Sequence, residues 1–88
     1  MPPIRVDIDG CSFRVALDGP GQAPWLVLSH SLGARLEMWD PQVATLSARF
    51  RLLRYDTRGH GESGVSSGPY SIGQLADDVV RLLDALGI

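Results

Sequence analysis

Apolar and polar positions alternate at the start of the chain: Ile4, Val6 and Ile8 are separated by Arg5 and Asp7, and Phe13, Val15 and Leu17 by Arg14 and Ala16. A period of two is that of an extended strand, whose successive side chains point to opposite faces. Asp9-Gly10 between the runs supplies residues that tolerate the backbone of a two-residue turn. The pattern predicts an antiparallel hairpin, half buried.

The turn-rich run DGPGQAP over 18–24 then leads into Trp25-Leu26-Val27-Leu28, which is apolar without alternation. A strand of that kind is usually covered on both faces, as in the middle of a parallel sheet. Beyond the loop SHSLGARLE, Asp40-Pro41 reads as an N-cap followed by proline in the first turn, and Val43, Leu46 and Phe50 recur at helical spacing. The spacing predicts a helix over about 40–49. Leu52, Leu53 and Tyr55 form a short strand ending at Asp56, and Ser66-Ser67-Gly68-Pro69 breaks any helix before about residue 71.

The last element is the most regular. Ile72, Leu75, Val79, Leu82, Leu83 and Leu86 share one helical face, and Gln74, Asp77, Asp78, Arg81 and Asp84 the other. Ser71-x-x-Gln74 has the form of a capping box, and Gly87 fits the position just past the helix end. A hairpin followed by alternating strand and helix predicts an α/β sheet with a right-handed crossover, without internal repeat or second domain.

Composition narrows what such a sheet could do. The 88 residues are 44% hydrophobic and 20% charged, with a net charge of −2 and both signs interspersed, so there is no basic footprint for nucleic acid and no polybasic membrane patch. No apolar run approaches a membrane span, and the N-terminus lacks the apolar stretch of a signal peptide. Cys11 is the single cysteine, which excludes an internal disulfide and suits a reduced, cytoplasmic setting; it reads as a small buried or half-buried hydrophobe. Two histidines without cysteine partners argue against a zinc site. All eight cationic side chains are Arg, which removes the P-loop lysine, the Schiff-base lysine and the lysine general base together.

Candidate chemistry concentrates in two loops. Gly59-x-Gly61-x-x-Gly64 matches the dinucleotide glycine pattern, but such glycines must open a helix whose N–H groups face the phosphates, and these lead into SSGP instead. No cofactor is expected. The second loop, Ser29-His30-Ser31-Leu32-Gly33, reads either as a plain strand-to-loop transition or as part of a site. A local Ser-His dyad is disfavoured there, because neighbours on an extended segment point to opposite faces.

Taken together, Ser29-His30-Ser31-Leu32-Gly33 and Asp56-x-Arg58-Gly59-x-Gly61-x-Ser63, each at the end of a strand, resemble the α/β-hydrolase family. The first is similar to that family's H-G-x-G oxyanion loop and the second to its D-x-R-G-x-G-x-S loop. Within the family, VLSHSLGA, MWDPQVATL, FRLLRYDTRGHGES and GPYSIGQLADDVVRLLDALGI are similar to the start of the 3-oxoadipate enol-lactonases, hydrolases of the β-ketoadipate route of aromatic breakdown. Neighbouring esterases and haloperoxidase-like members share much of the pattern.

The resemblance implies that residues 1–88 are the N-terminal portion of a single α/β-hydrolase domain, a hairpin followed by β-α-β-α, acting on a small-molecule ester or lactone. It implies that the backbone N–H of Leu32 is an oxyanion donor. His30, Ser31 and Gly33 would support it, Gly33 allowing the close turn and Ser31 standing where glycine is usual. Asp56, Arg58, Gly59 and Gly61 would brace the neighbouring loop, with Asp56 and Arg58 as an organising pair. His60 is a loop residue by the same likeness, since the family's triad histidine comes later.

The G-x-S-x-G nucleophile elbow does not occur, and Gly61-Glu62-Ser63-Gly64-Val65 fails at its last position. Nucleophile, acid and base are therefore expected in a missing C-terminal half, and the chain alone is expected to be inactive. The family's sheet order would leave the third strand at an open edge, where the alternative of an interaction module pairing through that edge also rests. Met38, Trp39 and Tyr70 read as packing rather than pocket, and Arg35 as a solvated loop arginine or a partner for an anionic substrate.

Overall fold

The computed structural model describes residues 2–65 and 70–88. Four strands, β1 (Ile4–Ile8), β2 (Cys11–Asp18), β3 (Trp25–Leu28) and β4 (Arg51–Tyr55), form one sheet in the order β1-β2-β4-β3. A 3₁₀ turn, Leu36–Trp39, and helix α1 (Asp40–Leu46) connect β3 to β4, and α2 (Ile72–Ala85) closes the chain. The breaker Ser66-Ser67-Gly68-Pro69 lies outside the described residues.

The predicted hairpin is present. β1 and β2 pair antiparallel from Ile4 opposite Val15 to Ile8 opposite Cys11, and Asp9 and Gly10 turn the chain with φ of 49° and 83°, the left-handed pair such a turn requires. β2 pairs antiparallel with β4 on its other side, Val15 opposite Tyr55, and β4 pairs parallel with β3, Leu26 opposite Leu52 and Leu28 opposite Arg54.

These registers divide the sheet into two unlike faces. Phe13, Val15, Leu53 and Tyr55 share one face with Ile8 and Cys11, and Leu82 of α2 seals it, with Val79, Leu83 and Leu86 packed around the cluster. Cys11 is accordingly a buried core residue. The opposite face carries Arg14 and Ala16 of β2, with Arg54 of β4 opposite Ala16, and all three are buried. β2 is therefore covered on both faces, where alternation alone implied one. It lies between two other strands, and the 3₁₀ turn meets its second face, Arg14 donating to Glu37 and Arg54 to the Leu36 carbonyl.

Other expectations are corrected by the packing. β3 sits at the sheet edge with only Leu28 buried and Trp25, Leu26 and Val27 half-buried, so its unbroken apolar run does not here mean cover on both faces. α1 ends at Leu46 rather than about 49, and its N-cap is Trp39, because the unforeseen 3₁₀ turn runs directly into it. Asp40 instead accepts from Arg54 Nη1 at 2.7 Å.

Helix α2 begins where expected, with Ser71 Oγ accepting the Gln74 N–H at 3.0 Å and Gly87 leaving the helix at φ 71°. Two of its positions are exchanged relative to the pattern. Ile72, assigned to the apolar face, is 82% exposed, whereas Asp78, assigned to the polar face, is 3% exposed. Asp78 can be buried because Arg58 neutralises it through two hydrogen bonds, Nε to Oδ2 at 3.0 Å and Nη2 to Oδ1 at 2.8 Å.

Candidate active site

Parallel pairing of β3 with β4 brings their C-terminal ends side by side, so the loops that follow Leu28 and Tyr55 leave the sheet together. This is where open α/β sheets bind ligands. The loop after β4 is built around Asp56, whose carboxylate is fully buried. Its Oδ2 accepts from Arg14 Nε at 2.7 Å and from the Glu62 N–H at 2.8 Å, and its Oδ1 accepts the Leu36 N–H at 2.7 Å. One side chain thus ties β2, the 3₁₀ turn and its own loop.

Arg14 is shared further, its Nη1 and Nη2 donating to the two Glu37 oxygens at 2.7 and 2.6 Å. Hydrogen bonds that Arg14 donates to Glu37 and then to Asp56 raise its guanidinium above the ordinary value, against the opposing effect of burial. Burial pulls the Asp56 carboxyl upward, but Arg14 and the Glu62 and Leu36 N–H groups outweigh it and hold the group below the usual carboxylate range. Glu37 is lowered as well, chiefly by its bonds to Arg14. An Asp56 held toward its charged form with both oxygens occupied is an anchor, not a proton carrier.

The expected Asp56–Arg58 pair is therefore not formed. Asp56 takes Arg14, and Arg58 takes Asp78 of α2, which raises the Arg58 guanidinium. The chain leaves β4 at Tyr55 and turns at Arg58, and each of the two side chains finds its counter-charge on a distant element. Ser63 completes the loop: its Oγ accepts the Arg14 N–H at 2.9 Å and donates to the Asp56 carbonyl at 2.6 Å.

The three-glycine pattern resolves into successive turns. Gly59 donates its N–H to the Gly64 carbonyl at 2.9 Å and Glu62 donates its N–H to the Asp56 carboxylate, so both groups are satisfied within the protein and are not offered to a phosphate. Gly61 is required sterically, since at φ 51° any Cβ would run into the Asp56 carboxylate. Gly59, at φ 76°, lies against the Tyr70 ring, which would have to shift to admit a Cβ.

In the loop after β3, His30 reaches across to the second loop. Its Nε2 accepts the Thr57 N–H at 2.8 Å, and its Nδ1 lies 2.8 Å from the Ser31 carbonyl. Because a backbone N–H can only donate, Nε2 carries no proton, so the neutral ring bears its proton on Nδ1 and donates it to Ser31. The His60 ring lies 5.2 Å from that of His30. Gly33 turns the loop at φ 80°, with the Ala34 N–H donating to the Ser31 carbonyl at 3.0 Å. The Leu32 N–H has no hydrogen-bond partner among the described residues.

Two clefts flank this clip, of about 450 and 300 Å³, and both are lined by His30, Thr57, Ile72 and Leu75. Ser31, Leu32 and His60 border the smaller one. The Ser29 and Ser31 hydroxyls are not paired with the His30 ring: Ser29 Oγ is 2.7 Å from the Tyr55 hydroxyl, and Ser31 Oγ is 3.4 Å from Met38 Sδ. Trp39 donates its ring N–H to the Ser29 carbonyl at 3.1 Å, so Met38 and Trp39 pack against the loop and line neither cleft. Arg35 is exposed.

Three residues that sequence reasoning passed over hold these loops, Thr57 beside Asp56, Glu37 of the 3₁₀ turn and Arg14 of β2. Thr57 acts through its backbone and has no side-chain signature. Arg14 takes a polar position of the β1–β2 alternation, which gives no sign of its burial. No group of three or more His, Cys, Asp or Glu side chains is placed to hold a metal ion among the described residues, and no described helix is long and apolar enough to cross a membrane.

A family profile described as the alpha/beta hydrolase fold matches residues 24–88. The chain is 46% identical over 79 residues to 3-oxoadipate enol-lactonase 1 of Acinetobacter baylyi, an alignment covering 90% of this chain and 29% of that protein. The crystal structure of the enol-lactonase from Burkholderia xenovorans LB400 superposes with a TM-score of 0.93 at 53% identity, covering 97% of this chain and 34% of that one. A hydrolase from Pseudomonas aeruginosa PA01 gives a TM-score of 0.92 at 47% identity, over 98% of this chain and 33% of the other. The chain thus spans about 30% of the length of the relatives it matches.

Proposed function

From a chain that belongs to the α/β-hydrolase fold family, we propose the N-terminal portion of a carboxylic-ester hydrolase, with an enol-lactone as substrate. The observation that carries this reading is the hydrogen bond from the Thr57 N–H to His30 Nε2, which joins the two strand-end loops beside a cleft that Leu32 also borders. Similarity to enol-lactonases supports the substrate class.

Attack on a lactone carbonyl opens its C=O π bond and drives the electron pair onto oxygen. The Leu32 N–H, which no other described group occupies, donates to that oxygen. A preorganised donor of this kind is worth about 10²–10³ in kcat. Gly33 permits the turn that presents it, and Asp56, Gly59 and Gly61 hold the adjoining loop in register. Nucleophile, acid and histidine base are supplied by further polypeptide, since the 88 residues hold no Gly-x-Ser-x-Gly.

A chimera tests this. Residues 1–88 replace the matched segment of the Acinetobacter baylyi enol-lactonase, and hydrolysis of 3-oxoadipate enol-lactone is followed. Activity within about tenfold of the parent, a barrier change of roughly 1.4 kcal/mol, is expected. A chimera that unfolds cooperatively but has no activity would overturn the reading. The 88-residue chain alone is expected to give no turnover above a blank, and serine-dependent hydrolysis by it would contradict the division of roles.

A further inference from the structure

We infer that His30 is a positioning residue that aims and polarises the Leu32 N–H through the peptide group it shares with Ser31, an inference that rests on the hydrolase reading above. The Ser31 carbonyl and the Leu32 N–H are the two ends of one peptide unit. In a trans peptide they point in opposite directions, so whatever holds the carbonyl sets the direction of the N–H.

The carbonyl is held twice, by His30 Nδ1 at 2.8 Å and by the Ala34 N–H at 3.0 Å. Nδ1 can donate because Nε2 is committed as acceptor to the Thr57 N–H at 2.8 Å. The result is a chain of donors running one way: Thr57 N–H to Nε2, Nδ1–H to the Ser31 carbonyl, and at the far end of that peptide the Leu32 N–H, unoccupied among the described residues, on a residue that borders the cleft. Hydrogen bonds in series polarise one another, so a carbonyl that accepts strongly leaves its peptide N–H a better donor. The ring thereby couples the loop after β4 to the donor on the loop after β3.

The inverse tautomer would undo both ends, with two donors facing each other at Thr57 and two acceptors at Ser31. Imidazolium would lose the Thr57 end alone. The arrangement therefore specifies one form of the ring, and that form is directly observable.

Nitrogen NMR of His30 in the 88-residue chain is the first measurement. The Nδ1-protonated tautomer is expected, with a scalar coupling across the hydrogen bond between Thr57 N and His30 Nε2. An Nε2-protonated ring, or the averaged tautomers of free imidazole, would overturn the inference whatever the fate of the hydrolase assignment.

The second measurement uses the chimera. His30→Gln can reach Thr57 with an acceptor but puts no donor at the Nδ1 position, whereas His30→Asn keeps a donor there. In His30→Gln, kcat should fall about tenfold to a hundredfold with KM within about twofold, since the lost contact acts in the transition state. His30→Asn should recover most of that loss. Equal damage in both variants, or none in His30→Gln, contradicts the inference, while a chimera inactive with His30 intact contradicts the function itself.

Discussion

Arg14 Nε lies 2.7 Å from Asp56 Oδ2, joining residues 42 positions apart at a site where the two side chains are 8% and 0% exposed. The pair stands at the end of the β2–β4 ladder, where the Asp56 N–H also donates to the Arg14 carbonyl at 3.0 Å, and the Leu36 and Glu62 N–H groups bond to the same carboxylate.

Removing the cation should be severe. Arg14→Met leaves a buried carboxylate with only two backbone donors, and breaking a buried pair from one side costs about 3–5 kcal/mol. For a chain this short that approaches the whole folding free energy. Circular dichroism during thermal unfolding should show a large fall in Tm or loss of the cooperative transition. The double variant Arg14→Met, Asp56→Asn should be less damaged than additivity predicts, and strict additivity would mean the pair is not coupled.

Acid sensitivity follows from the carboxylates. Asp56 and Glu37 have folded-state values depressed below their ordinary 3.8 and 4.5. Their stabilising contribution is complete above those ordinary values and is lost as pH falls from there through the depressed folded values. Urea midpoints should be flat on the neutral side of that window and decline below it. In Glu37→Gln the decline should become shallower, and an unchanged acid limb would contradict the linkage.

Two glycines with left-handed backbone separate conformation from crowding. Gly10 has φ of 83° and nothing within 4 Å of a new Cβ, while Gly61 has φ of 51° and the Asp56 carboxylate in the way. Gly10→Ala should cost only the backbone term, about 1–2 kcal/mol. Gly61→Ala should cost more and displace Asp56. Chemical denaturation of both variants decides this, and equal losses would mean the loop yields freely at Gly61.

The open edge at β3 should make the isolated chain self-associate. Its Trp25, Leu26 and Val27 are only half-buried, and an unpaired apolar edge is a template for further strands. Size-exclusion chromatography should show concentration-dependent species larger than a monomer, reduced by Leu26→Lys. A clean monomer at all concentrations would count against it.

Local pattern carried the elements because their causes are local. Period two in β1 and β2, the Asp9-Gly10 turn, the Ser71 cap and the Gly87 exit each depend on neighbours in the chain. The 3₁₀ turn at Leu36–Trp39 had no such cause: it is held by the Leu36 N–H bond to Asp56, twenty residues later. For the same reason the burial of Asp78 and the exposure of Ile72 escaped a helical face assignment that counts hydrophobicity alone.

The candidate site divides in the same way. From the order of residues alone came the identity of the two loops, the absence of a nucleophile elbow and the family to which such loops belong, while the steric need for glycine at 61 came from the fold. Which charge meets which was decided only by the fold. Arg58 is two residues from Asp56 yet binds Asp78, and Arg14 reaches Asp56 from another strand. Likewise the His30 tautomer is set by Thr57 across the parallel pair. Ionic partners and ring protons are chosen by distance in space, which an amino-acid sequence expresses only once its strands are in register.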